Sequence, residues 1–294
     1  MNFKPNPYIM LLLGILSVSS SAIFIKFAGA PPMTTAFYRM LFTVLFLTPF
    51  VLHKHFTSGI VAQWQGRQFL LAIMAGIFLA FHFAFWITSL NYTSITSSTV
   101  LVSLQPLFVM LGSYFFYGET VGYMALAGAV ITIGGGIVLG LGDISSGPDA
   151  LFGDLLALGG ALFVACYLLI GRKVRKTMDA LPYTYVVYLT AALVLVGGNA
   201  LVTKEALTGY LPETFGWFAA MALFPNLFGH SVFSWALKYV KAAVVSVSIL
   251  GEPVGATVLT FLIWGIMPGA LQIAGGILIL AGLAIFIWFI ENRK

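Results

Sequence analysis

WITSLNYTSITSSTVLVSLQPLFVMLGSYFFYGETVGYMALAGAVITIGG, residues 86–135, returns 147 positions later as FSWALKYVKAAVVSVSILGEPVGATVLTFLIWGIMPGALQIAGGILILAG, residues 233–282. In this register Leu90 meets Leu237, Tyr92 meets Tyr239, Val100 meets Val247 and Pro106 meets Pro253. Gly118, Gly122, Gly128 and Gly135 meet Gly265, Gly269, Gly275 and Gly282, and Trp86 meets the aromatic Phe233. The offset is half of the 294 residues, so the chain reads as one unit written twice, residues 1–147 and 148–294. In a strongly apolar chain, such a duplication points to a carrier whose substrate site lies between the halves.

The chain is strongly apolar. Sixty per cent of its residues are hydrophobic and 8% are charged, against roughly 25% charged in a soluble domain. So few charges cannot cover a chain of this length in water, and its solvent must be mostly lipid. The net charge of +5 is a topology signal and not a nucleic-acid one, because the basic residues sit in short connections between apolar runs. The single cysteine, Cys166, lies in an apolar run and reads as a small buried side chain. Lys4 and the small residues 17–22 resemble a signal peptide, but the apolar run continues through Phe24 and Ile25, so no cleavage is expected.

A membrane span needs about 20 predominantly apolar residues. Ten stretches qualify: roughly 8–28, 33–52, 69–89, 95–116, 121–141, 152–171, 182–203, 215–237, 242–264 and 268–290. With the N-terminus in the cytoplasm, eleven Lys and Arg residues fall in inside segments and two, Lys26 and Lys204, fall outside. Both termini are therefore expected inside. Each half has five spans, an odd number, so the halves must insert with opposite orientation. The expected fold is all-α: ten transmembrane helices in two inverted five-helix repeats.

Ser97-Ser98-Thr99-Val100-Leu101-Val102-Ser103-Leu104-Gln105-Pro106-Leu107, then Gly118-Glu119, with an echo at Glu252-Pro253 and an arginine at Arg39, resembles the EamA-type exporters of the drug/metabolite transporter superfamily. The resemblance covers the whole chain. It implies secondary transport, mostly outward, of amino acids, other small metabolites or drugs. One departure is plain: Gly118-Glu119 becomes Gly265-Ile266 in the second half, so Glu119 has no counterpart.

Glu252 lies near the middle of its span with no charge near it in sequence. An ionisable group at that depth marks a functional site, so Glu252 is the candidate for substrate binding and proton exchange, with Ser248 one turn earlier as its hydrogen-bond partner. Its mate under the repeat is the neutral Gln105. Pro106 and Pro253 follow directly; each removes a helix hydrogen bond and frees the carbonyl four residues back, at Val102 and Ile249, which makes both prolines candidate hinges. His82 with Trp86, and His230 with Asn226, give polar or aromatic stripes on spans 3 and 8 and complete the substrate-binding set together with Tyr38. Arg39 is open to two readings, a bidentate partner for a substrate carboxylate or a structural charge paired with Glu119; the structural one is preferred. Ser17, Ser20 and Ser21 could line a cavity or bond their own helix.

No Walker motif occurs, so ATP does not drive the chain directly. No Cys/His spacing suits a metal, and no cofactor is expected. The expected function is a secondary transporter of the cytoplasmic membrane, exporting a small metabolite such as an amino acid by alternating access. Its partners are a small-molecule substrate and the lipid bilayer, not nucleic acid, and it would act as a monomer or homodimer. The alternative is a multidrug or organic-cation exporter of the same fold; the remote ones are an intramembrane enzyme, for which no nucleophile with a base appears, and a passive channel.

Overall fold

In lipid the backbone has no water to bond, and an open sheet edge cannot be satisfied, so a chain of this composition has helix as its way of closing its own hydrogen bonds. The computed structural model describes residues 5–59, 63–64, 66–93, 95–118, 122–141, 149–265 and 269–291, and among these no strand occurs. Glu119, Lys4, Asp143, Ile266, Arg293 and Lys294 lie outside the described residues.

The first half contains α1 (Pro7–Val18), α2 (Ser21–Ala28), α3 (Pro32–Ser58), α4 (Gly66–Ser89), α5 (Ile95–Val102), α6 (Gln105–Tyr117) and α7 (Tyr123–Leu141). The second contains α8 (Ala150–Val174), α9 (Ala180–Gly198), α10 (Pro212–Met221), α11 (Ser231–Ala236), α12 (Ala242–Ile249), α13 (Glu252–Trp264) and α14 (Ala270–Glu291). A π-helical turn, Asn199–Thr203, extends α9, and a second, Ala222–His230, joins α10 to α11. Among the described residues, seven helical runs are long and apolar enough to cross a membrane; Tyr123–Val138 and Ile273–Phe286 are shorter apolar stretches. The run expected at 215–237 is helical but is not among the seven.

The 147-residue offset carries over into element bounds. Adding it to α5 gives 242–249, the bounds of α12, and adding it to α6 gives 252–264, the bounds of α13. The two expected single spans at 95–116 and 242–264 are thus each two helices. The prolines explain why. Pro106 and Pro253 fall in the first turn of α6 and α13, where a missing N–H costs nothing, while the preceding helices end at Val102 and Ile249, the residues whose carbonyls lose their donor.

The first span is broken as well, and without a proline. Ser19 Oγ donates to Ile15 O at 2.8 Å and Ser20 Oγ to Ser17 O at 2.8 Å. Such hydroxyls compete with the backbone ladder and bend a helix. In the Ala222–His230 turn it is Pro225 that sits inside the helix, and the wider turn relieves the clash with the carbonyl behind it.

Packing is reciprocal between the halves. Helix α4 packs on α8 and α9, while its counterpart, the α10–α11 run, packs on α1 and α3. Helices α7 and α14 pack on each other. A Cβ built on Gly135 would sit 2.8 Å from Gly275 O, and one on Gly282 would sit 2.6 Å from Gly128 O. The low-numbered glycine of α7 therefore meets the high-numbered one of α14, so the two helices run antiparallel. Under the repeat each contact maps onto the other, as contacts across a two-fold axis must. Four of the glycines that set the sequence register are those that let the two backbones touch.

At one end of the bundle, Gln63 ties two connections together. Its Nε2 donates to Asp179 Oδ2 at 3.1 Å, and Asp179 N donates to its Oε1 at 2.9 Å. Lys238 Nζ lies 3.5 Å from Asp179 Oδ1. The Gln63 hydrogen bond, and after it the charge of Lys238, hold the Asp179 carboxyl below the ordinary aspartate range.

Candidate functional site

The broken helices deliver their ends to one place. Val102 at the end of α5, Gln105 at the start of α6, Ile249 at the end of α12 and Glu252 at the start of α13 all line a single cavity. The helix N-termini present partial positive charge to Gln105 and Glu252, and the C-termini present partial negative charge beside them. The cavity has a volume of about 30 Å³. That holds a water or two and is far below the roughly 300–1,000 Å³ of a ligand pocket, so a metabolite requires the helices around it to part.

His82, Trp86 and His230 complete the set of expected site residues that the structure brings to this cavity. His82 Nδ1 lies 3.0 Å from Gly160 O. A carbonyl only accepts, so Nδ1 carries the proton in this contact. The His82 and Trp86 rings stack within 5° of parallel at 6.1 Å, and His230 meets His82 edge-on at 6.2 Å. The Glu252 side chain makes no hydrogen bond among the described residues, and its backbone oxygen accepts from Ser19 Oγ at 3.3 Å. Among the described residues, three more lining residues carry a buried polar atom without a partner: Trp86 Nε1, Ser103 Oγ and Gln105 Oε1. Each such atom costs about 1–3 kcal/mol, and native interiors seldom leave them without a reason.

Three expected substrate contacts are placed elsewhere. Ser248 bonds Val244 O at 2.8 Å in its own helix and makes no bond to Glu252, because the break at Leu250–Gly251 separates the two residues. Tyr38 donates to Leu207 O at 2.6 Å and stacks on Phe218 at 4.9 Å, inside an aromatic cluster at the far side of α3. Asn226 is engaged by Arg39 and Thr43. Its Oδ1 accepts from Nη2 at 2.6 Å and from Nε at 3.2 Å, and its Nδ2 donates to Arg39 O at 3.2 Å and Thr43 Oγ1 at 2.8 Å.

Arg39 is fully buried and joins α3 to the Ala222–His230 turn through that fork. Its guanidinium lies 4.1 Å from the centre of the Phe83 ring, and Nη1 donates to Ser21 Oγ at 3.3 Å. It touches no carboxylate within 4 Å among the described residues. Ser21 also lines the cavity, so Arg39 stands one hydroxyl behind it. Ser103 is a polar lining residue that the sequence did not single out, while Ser21 is, of the three serines open to lining a cavity or bonding their own helix, the one that lines it. The run of serines at 17–21 and the position of Ser103 two residues before Gln105 were the available signals.

The family model for EamA-like transporters matches residues 6–141 and again 151–288. The chain belongs to the EamA-like transporter family. It is a multi-pass membrane transporter by that membership and by its apolar helices. The chain is 23% identical over 286 residues to an uncharacterized transporter of Bacillus subtilis (strain 168), covering 96% of this EamA-family chain and 89% of the other. It is 25% identical over 284 residues to an uncharacterized transporter of Archaeoglobus fulgidus, covering 94% and 95%. An S-adenosylmethionine uptake transporter of Rickettsia bellii is 28% identical over 157 residues, about half of each chain (51% and 51%). A solved crystal structure superimposes with a TM-score of 0.76 at 19% identity, covering 98% of this chain and 99% of that one, which establishes a shared fold.

Proposed function

We propose that this EamA-family protein is a secondary transporter of the cytoplasmic membrane that exports a small ammonium-bearing metabolite, an amino acid or a close relative, by alternating access. The reading includes ten spans in two inverted halves with both termini inside, as the basic residues favour by eleven to two. The observation that carries it is the convergence of Gln105 and Glu252, mates under the repeat, on a cavity walled by the ends of two broken helices. Such ends lining a closed site between repeats are what a carrier needs to expose that site to one side at a time. Glu252 is the proton-exchanging group: ionised it holds the ammonium, and protonated it releases it. Pro106 and Pro253 allow the half-helices to hinge.

Organic-cation transport is the second reading, and one feature favours it. Among the described residues Glu252 makes no ion pair with a basic side chain, while Arg39 is occupied by Asn226 and Ser21. The S-adenosylmethionine uptake transporter among the relatives is compatible with both cargoes, since that molecule bears an amino-acid head and a sulfonium charge, and its name describes movement inward.

Counterflow in proteoliposomes tests the proposal. Labelled amino acids and a labelled quaternary amine are loaded separately, at several pH values, with wild type and Glu252→Gln. Saturable amino-acid exchange whose pH dependence disappears in Glu252→Gln supports the reading. Exchange of the quaternary amine alone selects the second cargo, unsaturable flux selects a channel, and a Glu252→Gln protein with unchanged rate and pH dependence removes the proton step.

A further inference from the structure

A second cavity opens on the side of the bundle. Leu13, Leu16 and Ser17 of α1, Phe224 and Phe228 of the Ala222–His230 turn and Leu259 of α13 line it, and its volume is about 430 Å³. Leu13, Leu16 and Phe228 are each about half-exposed, so this groove is open to the lipid around the bundle. It reaches from Met10 in α1 to Phe24 in α2, about 21 Å at the rise of a helix. Spread over that length, its volume leaves a section of about 20 Å², that of one extended hydrocarbon chain.

The bilayer core holds no water to fill the groove, and an unfilled one forfeits contacts along its whole wall. An acyl chain of the surrounding bilayer is the filler at hand. Burying that chain gains nothing hydrophobic, because the bilayer is as apolar as the groove. A lipid is therefore retained by packing and by its headgroup. The groove has a headgroup contact at one end. Lys26 lies two residues beyond Phe24, with Nζ 5.0 Å from the centre of the Trp264 ring, and Trp264 ends α13, the helix of Leu259. Lys26 makes no ion pair with an acidic side chain among the described residues. A lysine beside a tryptophan at a helix end is the pattern of the bilayer interface, where lipid phosphates lie. We propose that the groove holds one acyl chain of an anionic phospholipid of the bilayer, with its headgroup on Lys26.

The site bears on the carrier through its first span. Ser17 and Ser20 line the groove, while Val18 and Ser21 line the central cavity, so the broken run of α1 and α2 is the wall between them. That wall packs closely on the turn beside it: a Cβ built on Gly229 would lie 2.5 Å from Val18 Cγ1. A bound chain braces the wall from the outside, next to its break at Ser19–Ser20. The lipid is thus a structural partner and not the cargo, and the assignment is independent of what the carrier moves.

The test titrates delipidated protein in an uncharged detergent with phosphatidylglycerol or with phosphatidylcholine of identical chains. Native mass spectrometry counts the retained lipid, and the melting temperature is followed in parallel. Wild type should retain one phosphatidylglycerol per chain, prefer it to phosphatidylcholine by about fivefold, the worth of one lysine near an anionic headgroup, and melt higher with it. Lys26→Gln should bring the two lipids to equal retention. Leu13→Trp and Leu16→Trp put a large ring into the groove from positions already about half-exposed, so each should keep the lipid-free melting temperature and lose both lipids and the rise they cause. Leu193→Trp, similarly exposed on α9 outside the groove, should behave as wild type. Equal retention of the two lipids by wild type, an unchanged preference in Lys26→Gln, or no retained lipid at all would overturn the proposal. So would both groove variants retaining lipid as Leu193→Trp does, which would place the lipid elsewhere on the surface. Dimers that disappear in Leu13→Trp would assign the groove to a second copy of the chain and overturn it as well.

Discussion

Replacing Asn226 by leucine should cost this protein about 4 kcal/mol, most of it through Arg39. The amide accepts two N–H bonds from the buried guanidinium, at 2.6 and 3.2 Å, and bonds from a charged donor contribute about 1.5–3 kcal/mol each. Ser21 and the Phe83 face stay on the cation, so the lower end applies and this part comes to about 3 kcal/mol. The two bonds Asn226 donates are neutral, and interhelical bonds of that kind in membranes average about 0.6 kcal/mol. Arg39 O moreover keeps its bond from Thr43 Oγ1 at 2.6 Å. The total agrees with the roughly 3–5 kcal/mol seen when one partner of a buried pair is removed. Equilibrium unfolding in mixed micelles measures it, with Arg39→Met and the double variant completing a cycle. The double variant should be more stable than the sum of the singles implies by about 3 kcal/mol, since it leaves no orphaned charge. An Asn226→Leu cost below about 1 kcal/mol, or singles that add to within about 0.5 kcal/mol, would refute the view that this fork is the structural lock between α3 and the Ala222–His230 turn.

Gly282→Ala should lower stability by about 1–3 kcal/mol, because its Cβ would fall 2.5 Å from Thr132 N and 2.6 Å from Gly128 O, backbone atoms that cannot rotate away. Gly134→Ala, with nothing within 4 Å of its Cβ, should be neutral or stabilising by up to about 1 kcal/mol; equal losses in detergent melts would contradict the close-packing account. Pro253→Ala restores an N–H that can bond Ile249 O and continue the helix, so counterflow should slow while ligand-dependent stabilisation persists; an unchanged rate would mean the break is not a hinge. The Asp179 carboxyl sits below its ordinary range in the folded protein, so its contribution to stability is present above the unfolded-state value and is lost as pH falls through the lower folded value. Acid melts of Asp179→Asn should lack that component, and a wild-type acid profile in the variant would assign it to other carboxylates.

Most of the fold is written in the repeat, and its limits follow from what a repeat can encode. Gly128, Gly135, Gly275 and Gly282 are identities that the packing of α7 on α14 requires, so the alignment was reading a helix crossing. Pro106 and Pro253 announced the breaks of two spans, because a missing N–H acts locally whatever surrounds it. The break at Ser19–Ser20 carries no such mark: serine hydroxyls bond their own backbone or a neighbour with equal ease, and only the packed structure chooses. The faces of Tyr38, Asn226 and Ser248 were equally hidden. In helices that are apolar all round, periodicity does not separate the cavity from a neighbouring helix, and a polar residue one turn from a site residue faces it only if the helix stays regular between them. That condition fails at Leu250–Gly251 and within Ala222–His230.

The one asymmetry at the centre of the repeat has a physical reason on the proton-coupled reading. Gln105 and Glu252 have the same length and both present oxygen acceptors. A second carboxylate at 105 would share a cavity of about 30 Å³ with the first, and two like charges that close cannot both ionise. The pair would then titrate as a unit, in two steps set by their repulsion. A glutamine keeps the acceptor and the symmetric shape of the two helix breaks, and leaves a single titratable carboxylate among the lining residues near that position. Gln105→Glu should therefore retain the fold while splitting the pH dependence of counterflow into two steps, and a single unshifted step would separate residue 105 from the site.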